Sequence, residues 1–82
     1  MFDSTVIAFR TATEADAGLL RDLSELDSQR PVQRPAVIAT VDGDAVAALS
    51  LSDGQIVADP FTRTEDVVVM LRAHVDSLRH AA

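Results

Sequence analysis

The chain has 82 residues, 13 acids against 7 bases for a formal charge of −6, and no cysteine. That length allows one domain with a modest core and no room for a second. The acidic balance sets aside nucleic acid and anionic membrane surfaces, which need clustered Lys and Arg, and the lack of cysteine excludes a disulfide framework, a thiolate nucleophile and Cys-ligated zinc.

Thr5 to Arg10 alternates, with Thr5, Ile7 and Phe9 on one face and Val6 and Ala8 on the other, and reads as a first strand. Thr13, with Asp16 three residues on, resembles a helix N-cap. Leu19, Leu20, Leu23 and Leu26 then recur at helical spacing, which predicts an amphipathic helix over Glu14 to Ser28. Pro31 and Pro35 each push the preceding Arg out of the helical region, so Ser28 to Pro35 is expected to be extended. Ala36 to Val41 and Ala45 to Leu51 flank Asp42-Gly43-Asp44, a strong hairpin signal, and Ser52-Asp53-Gly54 supplies a second turn before Gln55 to Asp59. Pro60 ends that strand. Thr62 and Glu65 have the spacing of a capping box, and Val67, Leu71, Val75 and Leu78, widened by Val68 and Met70, form the apolar stripe of a helix to Arg79, beyond which Ala81 and Ala82 fray. The order β-α-β-β-β-α predicts an α+β fold in one domain over residues 1–82: a four-stranded, mainly antiparallel sheet with two helices.

This order, the phrase Arg10-Thr11-Ala12-Thr13-Glu14-Ala15-Asp16-Ala17, and the hairpin Ala39-Thr40-Val41-Asp42-Gly43-Asp44-Ala45-Val46-Ala47 resemble the N-terminal half of the GNAT superfamily of N-acetyltransferases. The resemblance covers most of the chain, on motifs of low specificity. It implies a first strand antiparallel to the second, which the eight residues Ser28 to Pro35, able to span roughly 26 Å, would make possible. A parallel crossover is the alternative. The family's diagnostic Arg/Gln-x-x-Gly-x-Gly/Ala loop, which wraps the pyrophosphate of acetyl-CoA, falls on Arg63-Thr64-Glu65-Asp66-Val67-Val68. Arg63 fits, but Asp66 and Val68 replace the glycines. Side chains there obstruct a close approach, and Glu65 with Asp66 sets negative charge against an anionic ligand at a helix N-terminus. The later strands, which in the family splay apart to admit the cofactor, are absent from this sequence. No catalytic, cofactor-binding or metal-ligating residue is therefore carried over, and acetyl-CoA is not expected to bind.

The remaining chemistry-bearing residues have ordinary readings. His74 and His80, six apart on a helix, are poor co-ligands and are expected to be solvated. Asp42 and Asp44 lie at the opposite end of a strand from Asp53, about 20 Å away, so the three cannot share an ion and belong to turns. Ser50 and Ser52 lack the setting of a nucleophile elbow and are assigned to the hairpin. Arg30 and Arg34, on the connector, are expected to pair with nearby acids; an anion-binding role is the alternative.

A hydrophobic fraction of 48% with three Phe, no Tyr and no Trp indicates a thin aliphatic core, for which association is a remedy. In the middle strand Ala47, Leu49 and Leu51 lie on one face and Val46 and Ala48 on the other, so both faces want cover, which two helices on opposite faces would provide. The last strand is expected to be an exposed edge open to association, and should both helices share one face, the bare face would be a second association surface. All seven bases are Arg, as in a high-GC bacterium. No charged start followed by a long apolar run opens the chain, so a cytoplasmic protein is expected. The function expected is a small, catalytically silent GNAT-like structural or interaction module, homodimeric or bound to a protein partner. The alternative is an acyl-CoA-binding half-site completed by a second chain.

Overall fold

The computed structural model describes residues 6–62 and 64–80. Thr5, Arg63, Ala81 and Ala82, on which expectations fall above, lie outside the described residues, as does the side chain of His80. In chain order the elements are β1 (Ile7–Thr11), a 3₁₀ turn (Glu14–Asp16), α1 (Ala17–Leu26), β2 (Ala36–Val41), β3 (Asp44–Ser50), β4 (Ile56–Ala58) and α2 (Glu65–His80). The four strands lie side by side in chain order, every neighbouring pair antiparallel. β1 is thus antiparallel to β2, and the parallel crossover is ruled out.

That direction depends on the connector. α1 runs back across the sheet, and Gln29 to Pro35 must return the chain before β2 can start. Each part of the return is tied down: the Arg30 carbonyl accepts from Gln55 Nε2 (2.7 Å), the Val32 N–H donates to Ser24 Oγ (3.2 Å), and the Pro35 carbonyl accepts from Leu51 N–H (2.8 Å). Ser24 is fully buried, and its hydroxyl also donates to the Leu20 carbonyl (2.6 Å). One hydroxyl therefore satisfies a buried amide of the connector from within the helix that the connector follows.

The two helices cover opposite faces. α1 lies over β3 and β4, where Leu20, Leu23 and Val32 pack with Ala36, Ile38, Ala48 and Val57. α2 lies over β2 and β3, where Val67, Leu71 and Val75 pack with Val37, Ala39, Ala47 and Leu49. Strand alternation sends successive residues of β2 into the two layers, so no whole face is left bare as an association surface.

Several local differences have identifiable causes. The 3₁₀ turn replaces the first turn of the predicted first helix, and α1 ends at Leu26 rather than Ser28. The Gln29 N–H bonds to the Ser24 carbonyl (2.9 Å), the Ser28 N–H to that of Glu25 (3.0 Å), and Ser28 has φ +52°. This is a Schellman end with serine in the left-handed position usually taken by glycine. A bulge in β3, where Ala39 faces Ala47 but Thr40 faces Ala45, puts Val46 beside Ala47 in the α2 layer rather than with Ala48. In α2 the buried stripe stops at Val75: Leu78 is 49% and Met70 43% exposed. The first hairpin closes on Asp42 and Gly43, both at positive φ (+51° and +90°), as in a type I′ turn. The second is wider, spanning Leu51 to Gln55 with Gly54 at φ +76°.

Candidate functional site

The candidate site is the end of β4 and its passage into α2, where a phosphate cradle would lie. The Asp59 carboxylate accepts the Phe61 N–H (2.8 Å) and the Thr62 hydroxyl (3.1 Å), while the Asp59 carbonyl accepts the Thr62 N–H (3.3 Å). An Asx-turn thus uses the donors that lead into the helix. The first helical bond runs from Val68 N–H to the Thr64 carbonyl (2.8 Å), which makes Thr64 the N-cap. The expected capping box of Thr62 with Glu65 is corrected accordingly, because Asp59 has captured the Thr62 hydroxyl. Glu65 and Asp66 occupy the first turn, exposed, where their charge complements the helix dipole.

The outer edge of β4 is also occupied. Asp59 N–H bonds to the Val46 carbonyl and Gln55 carbonyl accepts from Ser50 N–H (both 2.8 Å), so ladder alternation turns the groups of Ile56 and Ala58 outward. There the Ala58 N–H donates to Asp27 Oδ2 (3.1 Å), and Gln29 Nε2 donates to the Ile56 carbonyl (3.0 Å) and to Asp27 Oδ2 (2.8 Å). Two side chains from the end of α1 stand where an additional strand would bond. β4 is an edge strand, as expected, but its Ala58 N–H and Ile56 carbonyl are covered rather than open. Sequence spacing gave no warning, since the partners lie 27 and 31 residues apart.

The other sequence candidates do not converge on this place. Asp42 accepts the Val6 N–H (2.9 Å), Asp53 accepts the Gln55 N–H (2.9 Å), and among the described residues no group of three or more His, Cys, Asp or Glu could hold a metal ion. Arg30 pairs with Asp53 (2.9 Å), as expected of the connector arginines. The Gln55 amide and Arg30 together hold the Asp53 carboxyl below its ordinary range. Ser50 and Ser52 bond to each other through their hydroxyls (2.9 Å), as hairpin residues. His74 departs from the solvated expectation: it is half-buried and stacks on Phe9, centroids 4.7 Å apart and planes at 24°.

The strongest ion pair secures β1 to α1. Arg10 grips Asp16 with both guanidinium nitrogens (2.7 and 2.9 Å), and Asp16 also accepts the Thr13 N–H (2.8 Å) and hydroxyl (3.2 Å). The Arg10 hydrogen bond and then the Thr13 amide hold the Asp16 carboxyl far below its usual value. A lowered carboxylate pKa stabilises the fold above the unfolded value, ~3.9, and that contribution fades as pH falls toward the folded value. Thermal melts of the wild type and Asp16→Asn should therefore differ most at neutral pH, and the gap should narrow steadily below about pH 4. A gap independent of pH would show that the ionised carboxylate is not the stabilising form.

Two hollows open on the α1 side. A shallow groove of about 600 Å³ has Leu19, Leu23, Leu26 and Ala45 on its floor, with Asp22 and Asp44 beside it. A smaller one of about 330 Å³ lies by Pro31 and Val32, with Arg21 and Arg34 beside it. Neither adjoins the β4–α2 junction. No described helix is long and apolar enough to cross a membrane. The chain matches no family model, no curated protein and no solved structure.

Proposed function

We propose that this chain is a small, non-catalytic GNAT-like module that acts by association, with a second copy as its partner. The observation that carries the reading is the double closure of the candidate site. Asp59 uses the amide leading into α2, and Asp27 with Gln29 takes the Ala58 N–H and the Ile56 carbonyl on the outer edge of β4. In the family that the sequence resembles, the cofactor's pyrophosphate lies against this junction and its entry opens beside this edge. Here a cofactor would have to displace a carboxylate from each and approach the exposed acids Glu65 and Asp66, without glycine to admit it. The half-site alternative, in which a second chain completes an acyl-CoA site across β4, requires the same displacement.

Calorimetric titration of the full chain with acetyl-CoA tests the reading. No binding heat is expected up to millimolar ligand. A saturable, micromolar isotherm would overturn it.

A further inference from the structure

The sheet treats its two edges differently. β4 is only three residues long, is followed by Pro60, and has two of its four outward groups, the Ala58 N–H and the Ile56 carbonyl, bonded by Asp27 and Gln29. β1 has none of these protections. The bonds from Ala12 N–H to the Ala36 carbonyl and from Asp42 N–H to the Val6 carbonyl (both 2.8 Å) fix the alternation: Ala8, Arg10 and Ala12 face β2, while Ile7, Phe9 and Thr11 turn their backbone groups outward. Among the described residues nothing bonds to those outward groups. β1 has no proline, and its only charge, Arg10, is already gripped by Asp16.

We infer that two copies of this chain associate through β1, continuing the sheet across a two-fold axis at Phe9. This rests on the self-association proposed above and specifies its surface. An antiparallel pairing centred on Phe9 overlaps the whole strand, placing Ile7 opposite the partner's Thr11 and Phe9 opposite the partner's Phe9. All three outward positions meet outward positions, so each facing pair exchanges both its bonds. Arg10 faces the partner's Ala8, and no like charges are opposed.

The flanks permit the approach. α1 lies over β3 and β4 and α2 over β2 and β3, so neither helix stands over the β1 edge. In the dimer the two α2 helices would be about four strand spacings apart, roughly 19 Å, against a helix diameter of about 10–12 Å. The trough between them is floored by Ile7 and Phe9 and flanked by His74. Joining Phe9 to the partner's Phe9 extends each Phe9–His74 stack into one aromatic row and buries apolar surface that the monomer leaves half-open. With β4 short, followed by Pro60 and bonded at the Ala58 N–H and Ile56 carbonyl, the joined sheet offers no second edge as long and open as β1, so association closes at two chains rather than growing into a filament.

The test is sedimentation of the full chain from 5 to 500 μM, with residue-resolved amide exchange at both ends of that range. The expected result is a dimer in which the Ile7, Phe9 and Thr11 amides gain at least about tenfold protection with concentration, while Ala8 and Arg10, bonded to β2, are protected throughout. Thr11→Pro should weaken association at least about tenfold with the fold intact, because that N–H makes no bond among the described residues. A monomer at all concentrations overturns both the interface and the self-association reading. A dimer whose Ile7, Phe9 and Thr11 amides stay unprotected overturns the interface alone. The exchange result decides even if the proline variant fails to fold.

Discussion

Leu71→Ala should cost about 2–5 kcal/mol of stability, a large share of the roughly 4–12 kcal/mol expected for a domain of this size. Leu71 is fully buried midway along the packed face of α2, between Val67 and Val75 and above β2 and β3. The sheet surface beneath it includes Ala39 and Ala47, which have no side chain to swing into a void. The cavity therefore persists, and the cost belongs in the upper part of the range. A thermal melt followed by circular dichroism should show the midpoint falling by about 10–25 °C. A loss below about 1 kcal/mol would mean that α2 is not seated on the sheet as described.

Ser24→Ala should cost about 1–3 kcal/mol, although alanine is the better helix former. The gain in helix propensity is about half a kcal/mol, and the loss is an acceptor for the buried Val32 N–H. That amide sits among Leu20, Leu23 and Ile38, where water is a poor substitute. Denaturant unfolding gives the cost, and amide exchange locates it: Val32 should exchange faster while the amides at the β2–β3 hairpin keep their protection. Unchanged exchange at Val32 would remove the Ser24 hydroxyl from the account of the connector.

These two residues also show how far the sequence could be read. Leu71 was legible, since helical spacing alone sets it beside Val67 and Val75. The β2–β3 turn was legible because Asp42-Gly43 has few other uses. Ser24 was not, because its role depends on an amide eight residues away on a returning chain. The end of α1 was misplaced because Ser28 takes a left-handed conformation without glycine to announce it. The bulge at Val46 is similarly unmarked. At the junction the cap is Thr64 rather than Thr62, and the outcome turned on Asp59, a residue of the preceding strand end. The acidic start of α2 could be read directly, whereas the covering of β4 by Asp27 and Gln29 could not, being a contact between distant segments. The sequence therefore indicated a glycine-free, acidic helix start without showing what filled the space beside it.

On the GNAT-like reading proposed above, the chain's own groups occupy the place where an acyl-CoA would lie in the family that the sequence resembles. An amide correlation spectrum of the full chain, recorded with and without millimolar acetyl-CoA, tests it most directly at Ala58, Phe61, Asp66 and Val68. These signals are expected to stay where they are, since Asp27, Asp59 and the acids of the first turn hold or guard that backbone. Saturable shifts confined to those residues at micromolar ligand would contradict it.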